Sequence, residues 1–528
     1  MVKLSHFISI VTLLSTPAFA SQACTSFYNI TVPRADVLNI TSVLQSNVST
    51  PAFPPGPTES NLSFCDVTVV LTHPGENDTV TTEVWLPIVG WNGRFQATGG
   101  GGFLSGIGSA ELGPAITEGY AAASTDGGNI GLGIGINPAA FNSDGPIPGI
   151  LADYIYRSVH DMAVIGKAVT TSYYGKAPNY SYWNGCSTGG RQGLQAAQAY
   201  PDDFDGIMAA CPAINLAEAV IAIEWPYIVM NNDKTAPSQC VFNAFLNASI
   251  AQCDGLDGVK DGLISNVTGC DFDPYELVGT QVQCDGTTVT ISKAVATVYR
   301  KILDGPKTSS GDSLWPGLNV GVRTDDIYPG DAHTVTTNGT TIAVPFPVGD
   351  EWVTYFIKHN ASFDTHSITY ADVADLFAEN VRTYGNDSSN DPNLSPFQKA
   401  GGKMIVWHGL ADNLIPPTGT LRYRQKVEEL LGGTDVVNDF WRLFFVPGVS
   451  HCGGGYGPVP TDPLAAVVAW VENGIAPNTL PAQYVDTSGA TVNHDICKYP
   501  LVSRYDGKGD PKVASSYTCA DSFGPASK

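Results

Sequence analysis

A G-x-S-x-G motif at residues 185–189 constrains this chain more than any other sequence feature. It follows a strand pattern, YSYWNGC (180–186), and precedes a helical pattern, RQGLQAAQAYP (191–201). In that context the motif is typical of a nucleophile elbow, a strained strand-to-helix turn from which a serine hydroxyl projects. Small neighbours allow the turn, and the amide dipoles of the helix N-terminus point at a developing oxyanion. Ser187 is therefore the candidate nucleophile.

A serine hydroxyl near neutral pH needs a base, and the base needs an acid that orients it. Asp412 and His451 each lie in a loop directly after a predicted strand. The order Ser187, Asp412, His451 is that of α/β-hydrolases, so we predict a triad of these three residues. His408 is the alternative base and Asp126 the alternative acid.

Two cysteines flank the predicted triad, because Cys186 precedes Ser187 and Cys452 follows His451. If the serine and the histidine touch, these cysteines approach the Cα separation of a disulfide, roughly 4.4–6.8 Å. We therefore predict a Cys186–Cys452 disulfide that joins the serine loop to the histidine loop.

An oxyanion needs two hydrogen-bond donors. The amide of Thr188, directly after the nucleophile, is expected to be the first. The second is expected from the loop FQATGGGGF (95–103), as an amide of Gly100, Gly101 or Gly102. A phosphate-binding loop is not indicated, since no Gly-Lys-Ser/Thr follows the glycines.

Strand and helix patterns alternate along much of the chain and predict the α/β class. The segment FCDVTVVLTH (64–73) alternates apolar and polar residues and predicts antiparallel strands near the N-terminus. Between about 213 and 398 the alternation is lost, which indicates an inserted domain. We expect a signal peptide at 1–20, a catalytic domain at 21–212 and 399–528, and a lid at 213–398.

The first 20 residues combine Lys3, a short apolar run and Ala18-Phe19-Ala20, as in a secretory signal peptide cleaved after Ala20. That run is too short to span a bilayer, and no later stretch is long and apolar enough, so we expect a secreted product. Eleven cysteines without C-x-x-C spacing indicate disulfides rather than zinc sites. Twelve N-x-S/T acceptors indicate glycosylation: Asn29, Asn39, Asn47, Asn61, Asn77, Asn179, Asn247, Asn266, Asn338, Asn360, Asn386 and Asn393.

Composition argues against several classes of protein. The chain has only 27 Lys and Arg against 50 Asp and Glu, and its net charge of −23 would repel nucleic acid. A hydrophobic content of 43% argues against disorder. No pair of carboxylates stands out as the flanking acids of a glycoside hydrolase. The alternative of another class is a non-catalytic carbohydrate-binding module, which predicts no acyl-enzyme.

The segment CDGLDGVKDGL (253–263) places three acids at close spacing among glycines. Calcium prefers carboxylate and carbonyl oxygens, so this segment is a candidate structural calcium loop. It lacks the twelve-residue spacing and terminal Glu of an EF-hand, and an acidic surface turn is the alternative. The proposed ligands are the side chains of Asp254, Asp257 and Asp261 and the carbonyls of Val259 and Leu263.

Together these motifs resemble fungal tannases and feruloyl esterases, which are secreted α/β-hydrolases with a large lid inserted between the nucleophile strand and the acid strand. The Cys-Ser, Asp and His-Cys elements of that family fall on Cys186-Ser187, Asp412 and His451-Cys452, and its calcium loop falls on the acidic segment above. The resemblance covers most of the mature chain. It implies four more disulfides, Cys24–Cys65, Cys253–Cys270, Cys497–Cys519 and Cys240–Cys284, and a free Cys211.

The resemblance also implies a serine carboxylesterase that acts through an acyl-enzyme on hydroxycinnamic esters of the ferulate or caffeate type, joined to sugars or polyols. GCSTGGRQG (185–193) favours the feruloyl esterases, whereas the GGGGF loop favours the tannases, so galloyl ester hydrolysis is the runner-up. The expected substrate is a small aromatic ester or a feruloylated polysaccharide, with neither nucleic acid nor a membrane as partner. The acyl-contacting lid residues and the oligomeric state are not predicted.

Overall fold

The computed structural model describes residues 24, 27, 30–51, 56–284, 286–486 and 488–524. The predicted signal peptide lies outside these residues. Among them, no helix has both the length and the apolar character needed to cross a membrane.

A nine-stranded sheet organises the molecule. Its strands run in the spatial order β1-β2-β3-β5-β4-β6-β7-β8-β9. In chain order they are β1 (Asp36–Val48), β2 (Leu62–Thr72), β3 (Val80–Pro87), β4 (Arg94–Thr98), β5 (Ala121–Thr125), β6 (Tyr180–Cys186), β7 (Gly206–Ala210), β8 (Lys403–Gly409) and β9 (Trp441–Val446).

The sheet is mixed. From β1 to β5 the pairings β1–β2, β2–β3 and β3–β5 are antiparallel, as the alternating N-terminal pattern predicts. From β5 through β4 and β6 to β9 every pairing is parallel. The parallel half needs crossover helices, and its strands β7 and β8 are buried almost throughout because helices cover both faces. This architecture is the α/β-hydrolase fold, which confirms the predicted fold class.

Helices cover the sheet and build the insert. They are α1 (Ser109–Thr117), α2 (Pro148–Ala152), α3 (Ser158–Tyr174), α4 (Thr188–Ala199), α5 (Leu216–Ile223), α6 (Trp225–Asn232), α7 (Gln239–Cys253), α8 (Lys293–Asp304), α9 (Pro347–Glu351), α10 (Val373–Tyr384), α11 (Ser395–Ala400), α12 (Pro417–Leu431), α13 (Thr434–Asn438) and α14 (Pro463–Asn473).

The remaining strands are short. They form the hairpins Gly131–Leu132 with Gly135–Ile136, Phe141–Asn142 with Gly145–Pro146, Gln281–Cys284 with Thr287–Thr290, Thr334–Thr337 with Thr340–Ala343, and Val502–Tyr505 with Tyr517–Ala520, and the three-stranded sheet of Val459–Pro460, Thr479–Val485 and Thr491–Cys497.

The segment 213–398 contains helices α5 to α10, and its apolar core extends beyond the predicted boundaries. Phe103, at the tip of the glycine-rich loop, packs against Trp352 and Phe356, with ring centroids 6.3 and 6.0 Å away. Tyr154 belongs to the same apolar cluster. The glycine-rich loop is thus held between the sheet and the insert. The division at 213 and 398 stays a prediction.

Candidate active site

The turn between β6 and α4 presents Ser187 in a strained backbone conformation, with φ 62° and ψ −121°. The Ser187 amide donates to the Ala210 carbonyl, and the Arg191 amide donates to the Ser187 carbonyl, each at 3.0 Å. A Cβ at Gly185 would lie 2.7 Å from the backbone of Gly189, so the turn closes only with glycine there. The predicted elbow geometry is therefore present.

Asp412 and His451 meet at the carboxyl ends of β8 and β9. The Nδ1 atom of His451 lies 3.0 Å from Oδ2 and 3.2 Å from Oδ1 of Asp412. The Asp412 side chain is fully buried, and its Oδ1 also accepts the amides of Leu414 and Ile415 at 2.9 and 2.8 Å. A carboxylate held in this way orients the imidazole and leaves Nε2 as its reactive nitrogen.

The charge state of Asp412 follows from its partners. Burial alone would raise the pKa of this carboxyl, but the charge of His451 and hydrogen bonds from His408 and His451 outweigh burial and hold the pKa well below its usual range. Asp412 is accordingly ionised, which is the form that stabilises an imidazolium.

His408, the alternative base, lies behind Asp412. Its Nε2 atom is 3.2 Å from Asp412 Oδ2 and 2.9 Å from the Ile415 carbonyl oxygen. Both are acceptors, so Nε2 carries the proton, and Nδ1 accepts the Thr420 hydroxyl at 2.9 Å. His408 therefore supports the acid. The alternative acid, Asp126, instead binds the amides of Thr81 and Gly128 at a turn.

A disulfide joins the serine and histidine loops. Cys186 and Cys452 are bonded, with their Cα atoms 5.9 Å apart. Their neighbours Ser187 and His451 line one cavity. Ser187 and the Asp412–His451 pair thus meet at one cavity, although the described hydrogen bonds include none between Ser187 and His451.

The glycine-rich loop lies against the elbow, and one predicted donor there is wrong. The Gly100 amide donates to Gln192 Oε1 at 3.0 Å, so it is not available to an oxyanion. Among the described residues, the amides of Gly101 and Gly102 have no acceptor. Thr188 begins α4, and an amide at that position has no partner within the helix. Thr188 and either Gly101 or Gly102 therefore stay as the predicted pair.

Apart from the catalytic groups, the cavity walls are mostly apolar. One wall comes from α5 of the insert and includes Leu216, Val220 and Ile223. Tyr328 packs edge-on against the His451 ring, with centroids 6.0 Å apart. Glu111, in the first turn of α1, also lines the cavity. No local motif predicts a role for Gln192, Tyr328 or Glu111, because only the tertiary fold brings these residues to the serine.

Comparison with known proteins agrees with this geometry. A family model described as "Tannase and feruloyl esterase" matches residues 65–520.

The chain belongs to the tannase and feruloyl esterase family.

A probable feruloyl esterase of Arthroderma benhamiae is 45% identical over 545 residues, covering 99% of each chain. Two solved structures are also similar. The tannin acyl hydrolase from Aspergillus niger has a TM-score of 0.82 at 27% identity, covering 93% of this chain and 92% of that one. Feruloyl esterase B from Aspergillus oryzae has a TM-score of 0.77 at 28% identity, covering 93% and 98%. This protein is accordingly a carboxylic ester hydrolase.

In this tannase and feruloyl esterase family member, ten of the eleven cysteines are paired. Cys211 is free and buried. The bonded pairs are the five that the sequence and the family resemblance predict: Cys24–Cys65, Cys186–Cys452, Cys240–Cys284, Cys253–Cys270 and Cys497–Cys519.

The acidic loop of this family member folds on itself. Asp254 Oδ1 accepts the amides of Asp261 and Gly262, both at 3.0 Å, while Asp257 and Asp261 accept the amides two residues on. These bonds join each of the three predicted carboxylate ligands to backbone amides of the same loop. The described groups of three ligand atoms that lie within 4.8 Å of one another do not include these carboxylates. Among the described hydrogen bonds, the predicted carbonyl ligands of Val259 and Leu263 accept none.

The electrostatics of this loop fit a divalent cation. Burial, with repulsion from Asp257 and Asp254, raises the pKa of Asp261 to about 7. His494 Nε2 lies 3.9 Å from Asp261, but burial lowers the pKa of His494 to about 4, so this ring is neutral at physiological pH. Among the described residues, none of these three carboxylates has an ion pair with a Lys or Arg side chain, and such carboxylates suit a hard cation.

Proposed function

We propose that this protein is a secreted esterase that cleaves esters of hydroxycinnamic acids of the ferulate or caffeate type from sugars or polyols. The observation that carries the proposal is the Asp412–His451 pair facing the cavity that Ser187 also lines. An apolar cavity suits a planar aromatic acyl group, and the relatives named feruloyl esterase support this substrate class.

The proposed mechanism assigns one step to each group. His451, oriented by Asp412, takes the Ser187 proton as the hydroxyl attacks the ester carbonyl. The amides of Thr188 and of Gly101 or Gly102 stabilise the oxyanion, and each such donor contributes about 2.7–4 kcal/mol to transition-state stabilisation. The alcohol leaves with the proton from His451. Water, deprotonated by His451, then releases the acid from Ser187.

A substrate panel tests this function. Wild-type protein should hydrolyse methyl ferulate, methyl caffeate and chlorogenic acid, and Ser187→Ala should lose at least about 10⁴-fold in kcat while keeping its melting temperature. A serine-reactive phosphonate should label the wild type and not the variant. Undiminished activity in Ser187→Ala would refute the mechanism, and an unlabelled, inactive wild type would favour the carbohydrate-binding module.

Galloyl ester hydrolysis is the second candidate. The similarity to the tannin acyl hydrolase, whose TM-score is the higher of the two solved structures above, favours it. Methyl gallate in the same panel decides between the two. A kcat/KM for methyl gallate above that for methyl ferulate would make this protein a tannase.

We also propose that the loop 253–263 binds a structural calcium ion through Asp254, Asp257, Asp261 and the carbonyls of Val259 and Leu263. Chelation should lower the melting temperature by several degrees, and added Ca²⁺ should restore it. Asp257→Asn should abolish this response, whereas Asp273→Asn, at an exposed turn outside the loop, should retain it. A melting temperature that chelation leaves unchanged would refute the site.

Secretion and glycosylation belong to the same proposal. Five disulfides suit an oxidising compartment, and two acceptors, Asn39 and Asn47, are exposed on edge strand β1. Expression of the full chain in a eukaryotic host should give a secreted product that begins at Ser21 and loses mass on endoglycosidase treatment. Retention in the cell with an intact leader would contradict the proposal.

The acidic net charge of −23 supports the absence of a nucleic-acid partner.

A further inference from the structure

One carboxyl group in the active-site cavity has no role in the mechanism above. Of the described residues that line the cavity, Glu111 is the one with an acidic side chain. Asp412 is fully buried and is not part of that lining. The cavity thus offers a substrate one carboxyl besides the serine, the histidine and the oxyanion amides.

The Glu111 carboxyl is not paired within the protein. Among the described residues it has no hydrogen bond and no ion pair, and its helix α1 contains no basic residue in its last turn. Burial raises the pKa of Glu111 to about 7, as expected for a carboxyl that has lost water and gained no partner. An unpaired polar group in an apolar cavity is costly, so a site that keeps one can satisfy it with ligand.

The neighbouring polar groups have other contacts. The Thr188 hydroxyl and the Tyr154 hydroxyl both donate to the Gly102 carbonyl, at 2.7 and 3.1 Å. They therefore hold the glycine-rich loop. Tyr328 packs on His451 and lines the same cavity as Glu111. Burial together with the charge of Glu111 raises the pKa of Tyr328.

We infer that Glu111 binds the phenolic hydroxyl of the acyl group, and thereby selects aromatic acids with a free hydroxyl over those without one. This inference rests on the proposed function and deepens it. The ring and propenoyl carbons of the acyl group pack against the apolar wall of α5, and the phenolic O–H donates to the Glu111 carboxyl. The contact is a hydrogen bond only, so no bond is made or broken at Glu111.

The hydrogen bond between Glu111 and the phenolic hydroxyl predicts strong selectivity for esters that carry this hydroxyl. A buried acceptor left without its donor keeps the full cost of its desolvation, so a site built to bind a hydroxyl discriminates strongly against the analogue that lacks it. Methyl p-coumarate and methyl cinnamate differ by one hydroxyl. Methyl 4-methoxycinnamate keeps the oxygen but cannot donate.

Kinetics on these three esters test the inference. Glu111→Leu should lower kcat/KM for methyl p-coumarate by about tenfold or more and change it less than twofold for the other two esters. Glu111→Gln, whose amide oxygen still accepts a hydrogen bond, should have a kcat/KM for methyl p-coumarate between those of the wild type and Glu111→Leu. The matched control is Glu118→Gln, an exposed glutamate just beyond the end of α1, which should match the wild type on all three esters.

Binding separates recognition from catalysis. On a Ser187→Ala background, the intact esters can be titrated without turnover. The Kd of methyl p-coumarate should rise about tenfold when Glu111→Leu is added, whereas the Kd of methyl cinnamate should not change. If Glu111 had only a structural role, Glu111→Leu would weaken the binding of both esters equally, and that result would overturn the inference.

The rate of deacylation locates the contact. An acyl contact persists after the alcohol leaves, so Glu111→Leu should also slow release of p-coumarate from the acyl-enzyme. An effect that instead follows the alcohol, present for a sugar ester and absent for the methyl ester of the same acid, would overturn the inference. A wild type inactive on all these esters would refute the proposed function itself, whereas equal losses in Glu111→Leu would refute only the role of Glu111.

Discussion

The two sides of the active-site cavity hold carboxyl groups with opposite properties. On the histidine side, Asp412 is fully buried, yet its pKa is lowered. At α1, which also lines the cavity, burial raises the pKa of Glu111 to about 7. Asp412 receives hydrogen bonds from two histidines and two amides, whereas Glu111 receives none among the described residues. Burial raises the pKa of both carboxyls, and only Asp412 has partners that outweigh burial and lower its pKa.

The two sides also differ in how they are held. The histidine side is built from the carboxyl ends of β6, β8 and β9, and the Cys186–Cys452 disulfide closes it. Residues of α1 and α5 also line the cavity, and Glu111 is one of them. The first side is organised before substrate binds, as catalysis requires. Glu111, by the inference above, gains its partner only when a substrate with a phenolic hydroxyl binds.

The largest effect on activity should come from removing the negative charge of Asp412. Asp412→Asn presents an amide N–H to His451 Nδ1 and so favours the wrong tautomer, which should lower kcat about 10⁴-fold. Steady-state kinetics on methyl ferulate measure the loss, and thermal denaturation checks the fold. Glu111→Gln serves as the comparison and should lose far less. Equal losses in the two variants would show that the two carboxyls do not differ in role.

A smaller effect should follow from opening the disulfide on the histidine side. Cys186→Ser with Cys452→Ser frees the serine loop from the histidine loop, which should lower kcat by about 10–100-fold because a misplacement of about 1 Å has that effect. The matched control, Cys497→Ser with Cys519→Ser, removes a disulfide outside the cavity. Both double variants should lose about 2–4 kcal/mol in the free energy of unfolding. If both also lost activity equally, the disulfide would have no specific role in positioning.

The smallest effect should be a pH-dependent change in stability caused by the Glu111 carboxyl. The pKa of Glu111 rises on folding from 4.5 to about 7, so the folded protein binds more protons and wild-type stability falls as pH rises across that window. Glu111→Gln removes this loss. The melting temperature of the variant relative to the wild type should therefore be higher at pH 8 than at pH 4.5, by about one or two degrees. A difference that does not change with pH would contradict the raised pKa.

Much of the site could be predicted from sequence because its signals are local. Ser187 lies between a strand and a helix whose patterns are visible within twenty residues, and β6 spans the predicted 180–186. The Cys186–Cys452 pair could also be predicted, since each cysteine adjoins a triad candidate. In contrast, the exclusion of His408 as the alternative base required coordinates, because His408 is only four residues from Asp412. Both imidazoles contact Asp412, but His451 lines the cavity together with Ser187 and His408 does not.

The glycine-rich loop shows where local reasoning fails. Gly100, Gly101 and Gly102 are equivalent in sequence, but the Gln192 side chain from α4 takes the Gly100 amide. Phe103 then joins the core of the insert rather than that of the sheet. Both outcomes depend on side chains about 90 and 250 residues away, which no local pattern specifies.

The amino-acid sequence by itself determined the elbow, the order of the catalytic candidates and the cysteine beside each, because the backbone turn and its flanking strand and helix are encoded in adjacent residues. The tertiary structure alone decided that the Gly100 amide is taken by Gln192, that His408 supports the acid, and that Glu111 has no partner among the described residues. The reason is physical: hydrogen-bond partners and loss of water arise from packing between distant segments, and they set the charge and availability of each group.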